Sequence, residues 1–184
     1  MGIPTLIKTL TATNDSSLSF VDGTASVVFD NTYDEYMFVC TDIGPATDTA
    51  YFSFSGATDG GSDYSATAKT TTAFRSYHAE DGSGGTLAYD AADDHAQDVG
   101  FQNLTDYQAN DADGSSAGIL HIFSPSNTTY VKHFYSRFHY MQASDYAITM
   151  FVAGYFNTTS ALDAIQFKMH TGNFDGVIQL YGIA

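Results

Sequence analysis

The feature that most constrains this chain is a period of two. Apolar and polar residues alternate in short runs, and clusters of Gly, Asp, Asn and Ser interrupt the runs. This is the pattern of half-buried strands joined by turns. Ile165-Gln166-Phe167-Lys168-Met169-His170 sends three apolar side chains to one face and three polar ones to the other, and residues 51–55 send Phe52 and Phe54 inward. Residues 36–40, 118–123 and 148–153 are apolar at both parities, which predicts central strands or strands covered on both faces, with a neighbouring subunit as the second cover. Further strands are expected at residues 3–10, 27–29, 67–77, 130–140 and 177–181. Turns fall at Asp22-Gly23, Asp59-Gly60-Gly61, Asp81-Gly82 and Asn173-Phe174-Asp175-Gly176. No stretch has a convincing helical period; residues 88–97 fit a short helix or a loop. The predicted fold is all-β: a two-sheet antiparallel sandwich, jelly-roll-like, in one domain spanning residues 1–184.

Composition points the same way. Of 21 acids only Glu35 and Glu80 are Glu, the rest being Asp, while Tyr and Phe number 13 and 14; Asp and aromatics favour turns and strands over helices. A length of 184 residues with 43% apolar content can bury a core without cross-links. The single cysteine, Cys40, excludes an internal disulfide framework and any multi-cysteine metal site. Six Lys and Arg against those acids give a net charge of −15, which repels phosphate backbones and argues against a nucleic-acid partner. No apolar run approaches the ~20 residues of a membrane span, and the first residues lack the pattern of a secretory signal. The expectation is a soluble protein made in a cytoplasm, with no membrane partner. Residues 59–113 hold eleven acids against Lys69 and Arg75, a local −9. Within them, about 78–118 reads as an acidic, loop-rich excursion anchored by Leu87, Tyr89, Val99, Phe101 and Leu104.

Motifs with chemical potential are few. Asp81-Gly82-Ser83-Gly84-Gly85 has the wrong order for a serine-protease loop and lacks the strand-turn-helix setting of a nucleophile elbow, so it reads as a glycine-rich turn. Asp90, Asp93, Asp94 and Asp98, and the turn Asn110-Asp111-Ala112-Asp113-Gly114, carry enough oxygen for Ca²⁺ without the spacing of an EF-hand; a solvated acidic loop is the plain alternative. The six histidines form no helical metal pair. His133, Tyr135, Arg137 and His139 share one parity, opposite Phe134, Phe138 and Tyr140. On a strand they make a basic-aromatic stripe able to dock an acidic neighbour or stack on a sugar ring, or an ordinary wet strand face. His121, between Leu120 and Ile122, is expected to be partly buried and hydrogen-bonded. No nucleophile–base or metal constellation has workable spacing, so no catalytic activity is expected.

Several segments together resemble small accessory virion proteins of tailed phages, especially marine ones. They are Gly2-Ile3-Pro4-Thr5-Leu6-Ile7-Lys8-Thr9-Leu10-Thr11, Ser19-Phe20-Val21-Asp22-Gly23 and Asp30-Asn31-Thr32-Tyr33-Asp34-Glu35-Tyr36, joined later by Phe123-Ser124-Pro125-Ser126-Asn127-Thr128-Thr129-Tyr130-Val131-Lys132 and by the ending Gly172-Asn173-Phe174-Asp175-Gly176-Val177-Ile178-Gln179-Leu180-Tyr181-Gly182-Ile183. The resemblance covers residues 1–43 and 118–184 and leaves the acidic middle unmatched. It implies a virion component, synthesised in the host cytoplasm, present in many copies and assembled as a homotrimer, with the major capsid protein or tail proteins as partners. The leading expectation is a capsid decoration protein that clamps the outside of the head, using apolar strand faces and residues 1–11 as an arm. The alternative is a tail appendage that recognises a host surface glycan, with residues 59–113 as the recognition lobe.

Overall fold

A computed structural model describes residues 2–184, and it is an antiparallel β-sandwich with no helix among them. The strands are β1 (Thr5–Asp15), β2 (Leu18–Val21), β3 (Glu35–Pro45), β4 (Phe52–Ala57), β5 (Lys69–Ala79), β6 (Gly85–Tyr89), β7 (Ala96–Asp98), β8 (Gln102–Asn103), β9 (Ser116–Phe123), β10 (Lys132–Gln142), β11 (Tyr146–Phe156), β12 (Ala164–Met169) and β13 (Phe174–Ile183). The larger sheet runs β1-β13-β3-β9-β10-β11-β5-β6, with β7 also paired to β5; the smaller runs β2-β12-β4-β8. The chain crosses between the sheets along β1-β2-β3-β4-β5, β7-β8-β9 and β11-β12-β13 and stays in the larger one along β5-β6-β7 and β9-β10-β11, and rings of β2, β4 and β12 face rings of β3, β13, β10 and β11. The strands β10, β11, β5 and β6 then widen the larger sheet on one side.

The alternation in the sequence is the alternation of faces. Along β10 the side chains of Phe134, Ser136, Phe138 and Tyr140 are buried, while those between them are exposed. The inward faces meet in an aromatic core. Phe167 of β12 packs on Phe20, Phe38, Phe52 and Phe54, with ring centroids 5.2 to 6.3 Å apart, and Phe54 meets Phe134 edge-on at 5.1 Å. Such pairs add to the stabilisation from area burial. Gly118 of β9 faces inward opposite Phe138, whose ring fills the space a Cβ would take. The close approach of ring to backbone explains a glycine inside this strand.

Three expectations are corrected. Residues 27–29 form no strand: Val27 and Phe29 are buried on a loop held by the Phe29 N–H donating to Asp22 Oδ1 at 2.8 Å, so packing accounts for their apolarity. Residues 88–97 form no helix: residues 90–95 are a loop, the other expectation, set between the end of β6 and the start of β7. In the acidic excursion, Leu87, Tyr89 and Val99 are exposed and only Leu104 is fully buried, while Phe101 lies under Lys168, whose Nζ is 4.2 Å from the ring centroid. The excursion is anchored by polar side chains instead. Gln102 is buried, with its Oε1 accepting from Thr71 Oγ1 at 2.7 Å and its Nε2 donating to the Asp93 carbonyl at 2.8 Å. Of the expected arm, Met1 lies outside the described residues, and residues 5–11 belong to β1, paired with β13 at the edge of the larger sheet.

Candidate functional site

The outward face of the larger sheet carries the stripe expected from the sequence. His133, Tyr135, Arg137 and His139 all point away from the core along β10, in the middle of four adjacent strands, β9, β10, β11 and β5, that contain no Asp or Glu. Those strands also hold four of the six Lys and Arg residues. In a chain of net charge −15, this is a strong segregation.

The four cations have different fates. Lys69 is fully buried without a carboxylate: its Nζ donates to Ser55 Oγ at 3.0 Å and the Thr67 carbonyl at 3.3 Å, and burial pushes its pKa down to about 8. Lys132 is also buried, donating to the Tyr130 and Thr158 carbonyls, with its pKa lowered by the same cause. Arg75 turns to the interior end of the excursion. Its Nε lies 3.0 Å from Asp90 Oδ2, and its Nη1 pairs with Asp106, which also accepts from the Tyr140 hydroxyl. Only Arg137 remains outward, with no carboxylate within ion-pair distance among the described residues.

Neighbours complete the face. Arg137 sits between Ile119 of β9 and Phe151 of β11, and Phe151 stacks on Phe74 of β5 at 4.9 Å with the rings 8° from parallel. Tyr135 stacks on His121 at 4.5 Å and 17° and lies 5.8 Å from Phe123. His121 is partly buried, as expected, and its Nδ1 donates to Glu35. Along the stripe lie three successive hollows. The first, about 510 Å³, is lined by Phe123, Tyr130 and His133 with Ser124, Asn127 and Thr129. The second, about 310 Å³, lies between His121, Tyr135, Arg137 and Phe151; the third, about 290 Å³, between Val39, Ile119, Arg137 and His139. The sequence did not place His121, Phe123, Phe74 and Phe151 in this group, because strands apolar at both parities give no sign of which face is outward.

The acidic residues considered for Ca²⁺ are divided. Asp90 and Asp93 come together with Asp106, each offering an oxygen within 4.8 Å of the others. Asp94 accepts from the Tyr89 hydroxyl, and Asp98 accepts from the Gly100 N–H at 2.8 Å and lies 3.3 Å from His95 Nδ1. Arg75 already supplies the trio with a cation, Asn103 Nδ2 donates to Asp93 Oδ1 at 2.7 Å, and burial raises the Asp93 pKa, which disfavours another ionised oxygen there. The arrangement is a polar lock between the excursion, β5 and β10. Asp111 and Asp113 instead rim a hollow of about 410 Å³ with Asp42 and Asp175.

Compared with known proteins, the chain matches no family model, no curated protein and no solved structure.

Proposed function

We propose that this protein is a structural component of a tailed-phage particle, a capsid decoration protein bound to the outside of the head and assembled as a homotrimer. The resemblance of its two ends to small virion proteins motivates the reading. The observation that carries it is the free edge of β1, where Ile3 and Leu6 are 88% and 51% exposed beside a strand whose other side alone is paired. Such an edge is a ready template for another chain's strand. The strand orders β1-β13-β3-β9 and β2-β12-β4-β8 are read as those of a jelly roll, an architecture used by capsid and lectin domains. Quantitative mass spectrometry of purified particles tests the reading: decoration requires hundreds of copies per particle. A variant lacking residues 2–6, which lie outside the core, is expected to fold and to be lost from particles.

A second reading, recognition of a host surface glycan as a tail appendage, is favoured by the hollows along β10, which combine exposed aromatic rings with hydroxyl and amide groups. A copy number of a few to a few dozen would select it. In this reading recognition uses the sheet face in place of the acidic lobe.

A further inference from the structure

The outward face of β10 is more specific than an apolar patch. Along it His133, Tyr135, Arg137 and His139 reach each of the three hollows in turn, over seven residues or roughly 20 Å of strand. Tyr130 is 70% and Tyr135 45% exposed, and the Tyr135 ring is stacked on His121. Exposed rings at successive positions suit a ligand of repeating, ring-shaped units, because the CH faces of a sugar pack on an aromatic plane. The Ser124, Asn127 and Thr129 side chains at the first hollow offer hydroxyl and amide partners for ring hydroxyls.

Charge narrows the ligand further. Among the described residues Arg137 is an outward cation without an acid, on four strands that contain none, and His139 is held by Thr149 Oγ1 at 3.1 Å with no carboxylate contact. The exposed guanidinium between Ile119 and Phe151 is free to meet a planar anion, whose carboxylate or sulfate oxygens it pairs in a bidentate fork. We propose that the trough along β10 binds a linear acidic polysaccharide, with Arg137 pairing its carboxylate or sulfate and Tyr135 and Tyr130 stacking on its sugar rings. This rests on the glycan-recognition reading above and narrows it to an anionic chain.

The test is affinity electrophoresis and calorimetry of the purified full chain at ~0.15 M salt with three probes: polygalacturonate, dextran sulfate and neutral dextran. Retardation by polygalacturonate or dextran sulfate, and not by dextran, is expected, and which of the two retards separates carboxylate from sulfate. Arg137→Gln and Tyr135→Ala should each weaken binding at least tenfold, while Lys8→Gln on β1 should leave it unchanged. Circular dichroism and thermal melts of each variant establish that the fold is kept. Binding to neutral dextran that depends on Tyr135 and not on Arg137 would overturn the acidic ligand and leave glycan recognition standing. No binding to any probe, or acidic binding indifferent to Arg137→Gln, would overturn the proposal. An oligomer seen by light scattering that dissociates on Arg137→Gln or Tyr135→Ala would assign the face to a subunit contact, overturning both.

Discussion

Single buried charges set the clearest expectations at the residue scale. Lys69 has an ordinary pKa of 10.5 in the unfolded chain and about 8 in the folded one. Below pH 8 both states are protonated and the cost of burying the ammonium is fully present. Between about 8 and 10.5 the folded state gives up its proton first, so stability gains with rising pH, and above that the cost is gone. Lys69→Met is therefore expected to be more stable than the parent at pH 7, by on the order of 1–3 kcal/mol, and the difference should shrink as pH rises from 8 to 10.5. Urea midpoints of both proteins across that range check it, and the comparison cancels the opposite effect of Cys40 and Tyr140, whose pKa values burial raises. Arg75→Met leaves Asp90 and Asp106 without their cation. It should cost about 3–5 kcal/mol at pH 7, as denaturant titrations of the two proteins would measure. Because Arg75 supplies the charge at the Asp90–Asp93–Asp106 trio, adding Ca²⁺ is expected to leave the melting temperature unchanged, as a thermal scan with and without the ion would show.

The strand packing carries the next scale. Phe167 joins β12 to β2, β3 and β4 through four ring contacts, so Phe167→Ala should cost about 3–5 kcal/mol by leaving a cavity at the centre of the core. Gly118→Val acts in the opposite sense: the new side chain meets the Phe138 ring, and overpacking of this kind costs about 1–3 kcal/mol. Guanidinium denaturation of both variants tests the pair. Most elements were legible because a strand with one wet face writes its orientation into the sequence, as β10 and β12 do. Residues 27–29 misled because apolar content alone does not distinguish a strand from a loop packed by its side chains. The strands β6 to β8 were missed because their stability comes from pairing with β5 and β4 and from buried Gln and Asp side chains, none of which produces an apolar run.

Over the whole molecule, charge is separated from the sheet face. Among the described residues Arg75 makes two ion pairs and two histidines touch carboxylates, which sets little attraction against a net charge of −15, so self-repulsion among the acidic loops dominates. Raising salt from ~0.01 to ~0.5 M, which shortens the screening length from ~30 Å to under ~8 Å, should raise the melting temperature, measured by calorimetry. The sequence by itself determined the all-β class, two antiparallel sheets and the facing of the β10 stripe, because local alternation of side chains is a property of each strand alone. Which strands pair, which side of β3, β9 and β11 is outward, and that Arg75 turns inward to Asp90 while Arg137 stays without an acid were decided only by the tertiary structure. These depend on residues far apart in the chain, and a two-sided apolar strand or a single arginine carries no local mark of the neighbour it will meet.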